Sequence, residues 1–519
     1  MSTRRVALSS FLALSLAGPA LSEEPLSAID WLSDVVATPV VVAPPVIDGV
    51  KPADDVATSA VPEPVIQTTL GAPSRDAVGL RPVGVTGLPA RFWGTTRSAD
   101  LAAALMDLRP DLPPPLSDLV RMILLAELDP PLDTSAEAVL FQARVDMLLS
   151  LGALEQARAL LERAGPTSPA LFRRWFDVSL LVGETDDACR DMLAKPNLSP
   201  TYPARIFCMA RAGAWERAAL TLNTAKTLGV ISEREDALIA RFLDPELFEG
   251  EPPLPLPARI TPLNFRMHEA IGEPLNPASL PNAFSFTQLS DTVGWKARIS
   301  AAERLARSGA ISPARLLAIY SERKPAASGG VWDRAAAVQG LEAALAGADT
   351  AAIAARLRDA VRAMRRAGLE PALASLFGEA LIGLQLPGAA GQDATRLMLL
   401  SPVYEQAAQS GLPEEFDLHG AVATGDAQAL GAALRDDQGA TRAAIAAAFT
   451  TPGPADEDRA LIEAGNLGLA SLHAIKRLED GADADPKALS DGLRTLLHLG
   501  FNDAARRLAL FVLITGTRA

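Results

Sequence analysis

The sequence contains few of the residues that favour β-sheets or build reactive centres. Its 519 residues include three tyrosines, four histidines and two cysteines, and aromatic residues make up 5% of the chain. Strands are enriched in tyrosine and other aromatic residues, whereas alanine and leucine, which abound here, favour helices, so this composition indicates a helical protein. A chain of this length can bury more than one hydrophobic core, and we expect two helical blocks.

Catalytic and metal-binding motifs are also missing. Ser321 and Lys324 match the Ser-x-x-Lys motif of penicillin-binding enzymes, but the Ser-Asp-Asn and Lys-Thr-Gly motifs that complete such a site are absent. His268 and Glu269 lack the second histidine of a zinc-binding helix, and the other histidines are dispersed. No glycine-rich loop with a lysine is present to hold a phosphate. We therefore predict no catalytic residue, no metal and no cofactor, and we expect the protein not to be an enzyme.

The chain carries an excess of negative charge, which disfavours several classes of partner. It has 48 basic and 62 acidic residues and a formal net charge of −14. Removal of residues 1–22, which contain two arginines and no acids, would change the balance to 46 − 62 = −16. Such a surplus repels phosphate backbones and anionic membrane surfaces. We therefore expect no nucleic-acid partner.

The first 22 residues have the pattern of an export signal. Arg4 and Arg5 form a basic start, residues 6–17 are apolar but too few to span a bilayer, and Ala20-Leu-Ser22 is a small-x-small cleavage site. A membrane anchor is disfavoured because glycine and proline interrupt the apolar stretch. No cysteine lies at the cleavage site, which argues against a lipoprotein. We therefore predict a periplasmic protein with no integral membrane segment after signal cleavage.

A proline-rich, disordered arm is predicted to follow, from residue 23 to residue 97. Nine prolines occur between residues 35 and 97, among valines, alanines and threonines. Proline removes a backbone donor and holds the chain extended, so we expect no compact structure here. The arm ends near Phe92-Trp93, a pair that we expect to pack against the N-terminal end of the helical part.

One short amphipathic helix is predicted inside this arm, near residues 27–36. A serine begins it and an aspartate follows three residues later, which is the spacing of a reciprocal cap. The residues predicted to dock are Ile29, Trp31 and Leu32. So short a helix is marginal alone in water, so we expect it to bind a surface. That surface belongs either to a partner protein or to the helices of the same chain, and the sequence leaves both alternatives open.

A repeat begins after the arm, within a block predicted to span residues 98–249. Its glycines Gly152, Gly183 and Gly213 are spaced 31 and 30 residues apart, and each is followed five residues later by an alanine. Glycine adopts the left-handed conformation that ends a helix, and a small residue lets the next helix approach closely. A period of this length is typical of helical hairpins that stack into a solenoid. The Leu149-x-x-Gly152 pattern and the small-residue positions resemble the tetratricopeptide family, which implies an all-α, TPR-like superhelix.

The same pattern returns in a second helical block, predicted to span residues 291–519. Its turns are predicted at Gly309, Gly465 and Gly500, each again followed by an alanine five residues later. Between the blocks, residues 250–290 are rich in proline, which halts regular repetition and marks a junction. The last helix, from residue 502 to residue 515, is apolar nearly all round, so either the N-terminal arm covers it, which we expect, or it offers a docking surface.

The two cysteines are predicted to form a disulfide. Cys189 and Cys208 lie on successive helices of the repeat, and successive antiparallel helices bring such positions within bridging distance. Export would expose them to an oxidising compartment. The alternative is a pair of buried free thiols.

Two functions remain compatible with the sequence. The first is a non-enzymatic periplasmic scaffold that binds one or more envelope proteins, because solenoids present extended binding surfaces. The second is an accessory role in peptidoglycan metabolism, since the predicted superhelix resembles the non-catalytic part of soluble lytic transglycosylases. The glutamate-serine and Gly-Leu-Met-Gln motifs of that family's catalytic domain are missing. The chain as a whole is also similar to exported alanine-rich alphaproteobacterial proteins of unknown function.

Overall fold

The computed structural model describes residues 74–433 and 439–516 and shows an all-helical protein in those ranges. The prediction of an all-α fold is therefore confirmed for this part of the chain, where the only β-type pairing is an isolated bridge between Arg81 and Ala126. The export signal and the docking residues Ile29, Trp31 and Leu32 lie outside the described residues. No helix in the described ranges combines the length and the apolar character needed to cross a bilayer.

The α-helices follow one another with short connections. They are α1 (Val83–Thr86), α2 (Ser98–Met106), α3 (Pro114–Leu125), α4 (Val139–Leu151), α5 (Leu154–Ala164), α6 (Pro169–Val182), α7 (Asp186–Ala194), α8 (Tyr202–Arg211), α9 (Trp215–Thr227), α10 (Glu233–Leu243), α11 (Pro262–Ala270), α12 (Trp295–Arg307), α13 (Pro313–Ser321), α14 (Val331–Gly347), α15 (Thr350–Arg366), α16 (Glu370–Phe377), α17 (Gly388–Leu400), α18 (Tyr404–Gln409), α19 (Asp417–Thr424), α20 (Ala427–Ala433), α21 (Ala440–Thr450), α22 (Asp456–Glu463), α23 (Leu467–Leu478), α24 (Pro486–His498) and α25 (Asn502–Thr515). Single turns of 3-10 helix include Arg75–Ala77, Pro196–Leu198, Pro245–Phe248, Pro277–Ser279, Glu379–Leu381, Glu414–Phe416 and Gly481–Asp483, and a longer one spans Asn282–Leu289.

The six glycines predicted as repeat turns all adopt the left-handed conformation that ends a helix. Their φ angles are +81° at Gly152, +93° at Gly183, +77° at Gly213, +68° at Gly309, +76° at Gly465 and +87° at Gly500. At the first of them, for example, the glycine N–H donates to the carbonyl of Leu149 over 3.0 Å and closes α4. Residues other than glycine rarely adopt this conformation, so the glycines fix where these helices stop.

The alanine five residues after each of these glycines is buried in five cases out of six. Ala157, Ala188, Ala218, Ala470 and Ala505 are fully buried. The exception is Ala314, which is exposed and does not form the predicted close contact. In the other cases the next helix begins two or three residues after the glycine, but α13 begins four residues after Gly309. The longer connection places Ala314 in the first turn of the helix, on its outer side.

Residues 74–97 are not part of a disordered arm, and the prediction is wrong for this stretch. Asp76 is fully buried, and its Oδ1 accepts a hydrogen bond of 2.7 Å from the backbone N–H of Phe141 at the start of α4. Ala138, which precedes α4, has no side chain to cap that helix, so a carboxylate from the preceding segment does so. Arg144 then donates to the carbonyls of Leu124, Ala126 and Asp76. These buried polar contacts order a stretch whose proline content predicts disorder.

The predicted packing pair Phe92-Trp93 contacts helices from the other end of the chain. Both side chains are buried, and the carbonyl of Phe92 accepts a 2.7 Å hydrogen bond from Gly468 at the start of α23. A Cβ atom at Gly468 would lie 2.5 Å from the Trp93 ring, so only glycine fits against this indole. Asn466 accepts a hydrogen bond of 2.7 Å from the backbone N–H of Thr95. The N-terminal segment therefore packs against helices formed by the last residues of the chain.

Among the described residues, the last helix, α25, is covered by other helices, and residues 23–73 of the predicted arm lie outside these ranges. It packs against α3, α17, α19 and α24. Asp118 of α3 forms an ion pair with Arg507 of α25 over 3.1 Å. Nearby, Arg109 pairs with Asp480 over 2.7 Å, and Lys476 donates to the carbonyl of Asp107, which is just beyond the end of α2. The early helix α3 therefore returns to this surface and forms part of its cover.

The proline-rich stretch 250–290 packs against both blocks rather than separating them. Helix α11 contacts α6, and residues 282–289 contact α4, α6 and α12. Two of its side chains bond to carbonyls where repeat helices end, because helix C-termini leave carbonyls without intrahelical partners. Arg266 donates to Leu180 of α6 over 2.7 Å, and Asn282 donates to Leu151 of α4 over 3.1 Å. The buried side chains of both blocks belong to one continuous hydrophobic core.

Candidate functional site

The structure does not bring together the residues that were weighed as catalytic from the sequence. Ser321 is exposed, and its hydroxyl lies 3.5 Å from Glu342. His268 is buried with its Nδ1 3.9 Å from a carboxylate oxygen of Glu273, and burial lowers its pKa although Glu273 opposes this effect. In the described ranges, no group of three or more His, Cys, Asp or Glu side chains is arranged to hold a metal ion.

His419 is a buried histidine whose surroundings disfavour the charged form. Burial, followed by repulsion from Arg442 and Arg396, lowers its pKa to about 4. Its ring lies 5.2 Å from the ring of Phe416, and its Nδ1 has no hydrogen-bond partner. We read it as a core residue and not as part of a site.

His419 is expected to make the fold sensitive to acid. Its pKa in the unfolded chain is about 6.5, so protons bind the unfolded state preferentially as the pH falls from 6.5 to 4. Its contribution to stability is fully present above pH 6.5, and about 3 kcal/mol of it is lost by pH 4. Urea unfolding of the wild type and of His419→Leu between pH 7 and pH 4 measures this loss. The variant should lose less stability over that range, and parallel curves for the two proteins would contradict the assignment.

The two cysteines are joined within the first block. The Sγ atoms of Cys189 in α7 and Cys208 in α8 lie 2.05 Å apart, and both side chains are buried. The bond links the second and third predicted hairpins and fixes the relative position of these two helices.

Loss of this bond is expected to destabilise the protein. For a loop of this length, the chain-entropy model gives a stabilisation of ~3 kcal/mol. The Cys189→Ala/Cys208→Ala double variant should therefore show a lower urea midpoint than the oxidised wild type. Thiol titration of the unfolded wild type without reductant should detect no free thiol, and two thiols under these conditions would show that the bond is absent.

A cleft in the second block is the most distinctive surface of the described chain. It has a volume of about 760 Å³ and lies between residues 276–288, α12, the loop that follows α13, and the first turn of α14. We call it the tryptophan cleft because Trp295 and Trp332 line it. Its volume is within the range of known ligand sites, and alanines and a proline line much of the rest.

The two indole rings form a corner in the tryptophan cleft. Their centroids are 5.0 Å apart and their planes are inclined by 51°. Trp295 is the first residue of α12, and its Nε1 donates to the carbonyl of Ile319 over 2.7 Å, which fixes the ring against α13. Trp332 is the second residue of α14. Because the ring of Trp295 is held in place, the corner exists before any ligand binds.

The charged side chains that line the tryptophan cleft all have the same sign. They are Lys296, Arg304, Arg323 and Lys324, and no aspartate or glutamate is among the lining residues. The nearby Glu322 is neutralised outside the lining, because Arg298 binds it over 2.7 Å and 3.0 Å. In a protein with a net charge of −14, a carboxylate-free cleft of this kind is a local reversal of charge.

Arg304 contributes an uncompensated charge to the cleft wall. Its Nη1 donates to the carbonyl of Pro277 over 2.9 Å and to the hydroxyl of Ser285 over 3.0 Å, and its Nη2 donates to the carbonyl of Leu280. These acceptors are neutral, and no carboxylate in the described ranges forms an ion pair with this residue. Burial, together with repulsion from Arg307, lowers its pKa. The protein thus holds the side chain of Arg304 in place but does not neutralise its charge, so the charge is available to bind a ligand.

The loop over the cleft carries two of its exposed cations. Gln339 of α14 holds the start of the loop by donating to the carbonyls of Tyr320 and Arg323 over 2.6 Å and 2.7 Å. Asp333 holds its end by accepting from the backbone N–H of Gly329 over 2.8 Å. The side chains of Arg323 and Lys324 lie between these anchors and are exposed at the mouth of the cleft.

A buried polar network behind the tryptophan cleft holds its three helices together. Tyr320 of α13 donates to Glu303 of α12 over 2.9 Å, and Arg334 of α14 binds both oxygens of the same carboxylate over 2.7 Å and 2.6 Å. Burial, together with the charge of Glu303, raises the pKa of the Tyr320 hydroxyl. The tyrosine therefore stays protonated and remains a donor, and the helices that frame the cleft are fixed relative to one another.

Of the residues that line the tryptophan cleft, Lys324 was weighed from the sequence, but as part of a Ser-x-x-Lys match and not as a binding residue. A signal was present, since two of the six tryptophans lie within 40 residues of each other and frame the Arg323-Lys324 pair. The comparisons with known proteins add no guide to this site. No protein-family model matches the chain, and neither a curated protein nor a solved structure matches it.

Proposed function

We propose that this protein is an exported, non-catalytic scaffold that binds segments of envelope proteins, and that the tryptophan cleft is where such a segment docks. The observation that carries the proposal is the combination, in one cleft, of a preformed indole corner with the uncompensated charge of Arg304. Export is part of the proposal and rests on the N-terminal signal pattern together with the joined cysteines, which suit an oxidising compartment.

Binding, and not catalysis, fits the chemistry of the tryptophan cleft. Acid–base or nucleophilic catalysis needs a group that exchanges protons near neutral pH, such as a histidine or a carboxylate next to a nucleophile. The lining holds serines, lysines and arginines, but no histidine, cysteine, aspartate or glutamate. Ser285 already accepts a hydrogen bond from Arg304, which withdraws electron density from its hydroxyl and makes it a poor nucleophile.

The helices of the first block are proposed to form a TPR-like superhelix that supports this cleft. The supporting observations are the left-handed glycines that end α4, α6 and α8 and the buried alanines that follow them. The stretch 250–290 packs on this block, and α12 packs on residues 282–289 of that stretch, so the superhelix supports the elements that form the cleft.

A second candidate is an accessory role in peptidoglycan metabolism, and the same cleft suits it. Flat indole faces accommodate the apolar faces of sugar rings, and an arginine without a carboxylate partner can bind the carboxylates of the glycan or its peptides. The scaffold function is preferred because the two exposed cations of the loop add positive charge at the mouth of the cleft, beyond the charge of Arg304 in its wall.

Site-specific photo-crosslinking in envelope extract tests the proposal. A photo-reactive residue replaces Ala326, which lines the cleft, and in a control it replaces Ala346, which is exposed at the other end of α14, about 20 Å along the helix. We expect a protein adduct from the first position and none from the second. The adduct should decrease with Trp332→Leu but not with Trp215→Leu, a half-exposed tryptophan outside the cleft. Absence of any adduct specific to position 326 would reject the proposal.

A further inference from the structure

The tryptophan cleft has unused hydrogen-bond donors on its most strongly held cation. A guanidinium carries five N–H donors, and three of those of Arg304 bind Pro277, Leu280 and Ser285. The remaining two, one on Nε and one on Nη2, bond to no acceptor in the described ranges. A half-buried guanidinium without a carboxylate partner is costly, and a bidentate carboxylate is the acceptor that fits its planar geometry.

We infer that the segment bound in the tryptophan cleft is an acidic peptide stretch with an aromatic anchor, its carboxylate bound by Arg304 and its ring seated against Trp295 and Trp332. This inference rests on the proposed function. It adds the chemistry of the partner and assigns Arg304 as the residue that selects for it.

The aromatic anchor follows from the geometry of the indole corner. The two rings have centroids 5.0 Å apart and planes inclined by 51°, and both line the cleft, where Trp332 is partly exposed and Trp295 is 9% exposed. Aromatic rings prefer offset and edge-to-face contacts over a face-to-face sandwich, and an inclined pair of rings offers a third ring such contacts. Alanines at positions 297 and 301 of α12 leave room beside the corner. A small or polar side chain would leave this apolar surface partly uncovered.

The acidic character of the proposed peptide follows from three further cations at the mouth of the cleft. Arg323 and Lys324 are exposed on the loop, and Lys296 is exposed on α12. An acidic stretch that enters with its anchor would pass these cations before it reaches Arg304. Since the protein as a whole is strongly negative, such a stretch is repelled by most of the surface and attracted here. The cleft thus favours one approach for an acidic ligand.

Isothermal titration with short peptides on the full mature chain tests this inference. The probes are the blocked tripeptides Glu-Phe-Glu, Gln-Phe-Gln and Glu-Ala-Glu, titrated at low and moderate salt. We expect the first to bind at least about 10-fold more tightly than the second, because a charge-assisted bidentate hydrogen bond is lost in the second. The third should also be weaker by about 10-fold, and higher salt should weaken the first peptide most.

Variants assign the charge preference to particular residues. Arg304→Gln should reduce the preference for Glu-Phe-Glu over Gln-Phe-Gln to less than about 3-fold, whereas Lys324→Gln should weaken Glu-Phe-Glu by only about 2- to 5-fold. Lys195→Gln, an exposed lysine on α7's C-terminal side that removes the same charge, is the matched control and should change nothing. Thermal melts identify any variant that fails to fold, and Lys324→Gln keeps the test valid because its side chain is exposed.

Each other outcome counts against the inference. Equal binding of the acidic and neutral peptides would overturn it, as would an unchanged preference in Arg304→Gln. Tighter binding of a muramyl disaccharide-peptide than of any tripeptide would also overturn the inference, because it would favour the role in peptidoglycan metabolism. If no peptide binds but crosslinking at position 326 still captures a protein, the inference is wrong and the proposed function stands. If both measurements fail, both are wrong.

Discussion

Replacement of Arg144 by methionine is expected to lower the free energy of unfolding by at least about 3 kcal/mol, because it removes the guanidinium that donates to three buried carbonyls. Arg144 is almost completely buried and donates to Leu124, Ala126 and Asp76, over distances of 2.7 to 3.1 Å. Burial lowers its pKa to about 10, partly offset by Asp76, so it remains charged at neutral pH. Methionine would fill a similar volume but offers no donor to these oxygens.

Urea unfolding followed by circular dichroism measures this effect. The control is Arg163→Met, which removes an exposed arginine that pairs with Glu127 over 3.1 Å at the surface. Exposed ion pairs contribute little, so the control should differ from the wild type by less than about 1 kcal/mol. An effect of Arg144→Met no larger than that of the control would mean that residues 74–81 are not held as described.

Truncation of Trp93 to alanine is expected to destabilise the protein by about 3–5 kcal/mol, the usual cost of a cavity left by a large aromatic side chain. Trp93 is 1% exposed, and its ring lies against Phe92 and Gly468. The substitution should weaken mainly the contact between the N-terminal segment and α23. Limited proteolysis should therefore cleave the variant faster near α2 and α23 than the wild type.

Trp215→Ala is the matched control for this experiment. It removes the same side chain from a site that is 50% exposed, where less apolar contact is lost than at Trp93 and the neighbouring ring is that of Phe242. A complementary variant, Gly468→Ala, introduces a methyl group where the Trp93 ring leaves no space, and should destabilise although alanine normally favours a helix over glycine. If Gly468→Ala stabilised the protein, the close packing of this indole would be refuted.

Local features of the fold could be predicted from the sequence because neighbouring residues determine them. A glycine that ends a helix needs only its own backbone freedom, and all six predicted turns are left-handed. The exposed Ala314 shows where the local rule stops, since a proline-led start of α13 lengthens the connection and rotates this residue outward. Position relative to a glycine predicts burial only when the length of the connection is the same.

Long-range contacts could not be predicted in this way. Residues 74–97 are ordered because Asp76 caps α4 and because Phe92 and Trp93 pack against α23. The proline-rich sequence of this stretch gives no sign of either contact. The tryptophan cleft has the same origin. Arg304 is one of many arginines in the sequence, and only the fold shows that its acceptors are neutral carbonyls and a hydroxyl. The indole corner likewise joins α12 and α14. The number of residues between Trp295 and Trp332 does not reveal that their rings lie 5.0 Å apart.

The contact of Phe92 and Trp93 with α23 has a consequence for the order of folding. The chain is made from its N-terminus, so these two side chains appear long before the helix that covers them. Until residues 467–478 follow, the early helices present uncovered aromatic surface, and the contact that completes them spans most of the chain. Contacts of such sequence separation slow folding and prolong the exposure of apolar surface. We therefore expect the N-terminal helices to be prone to aggregation until the last helices arrive.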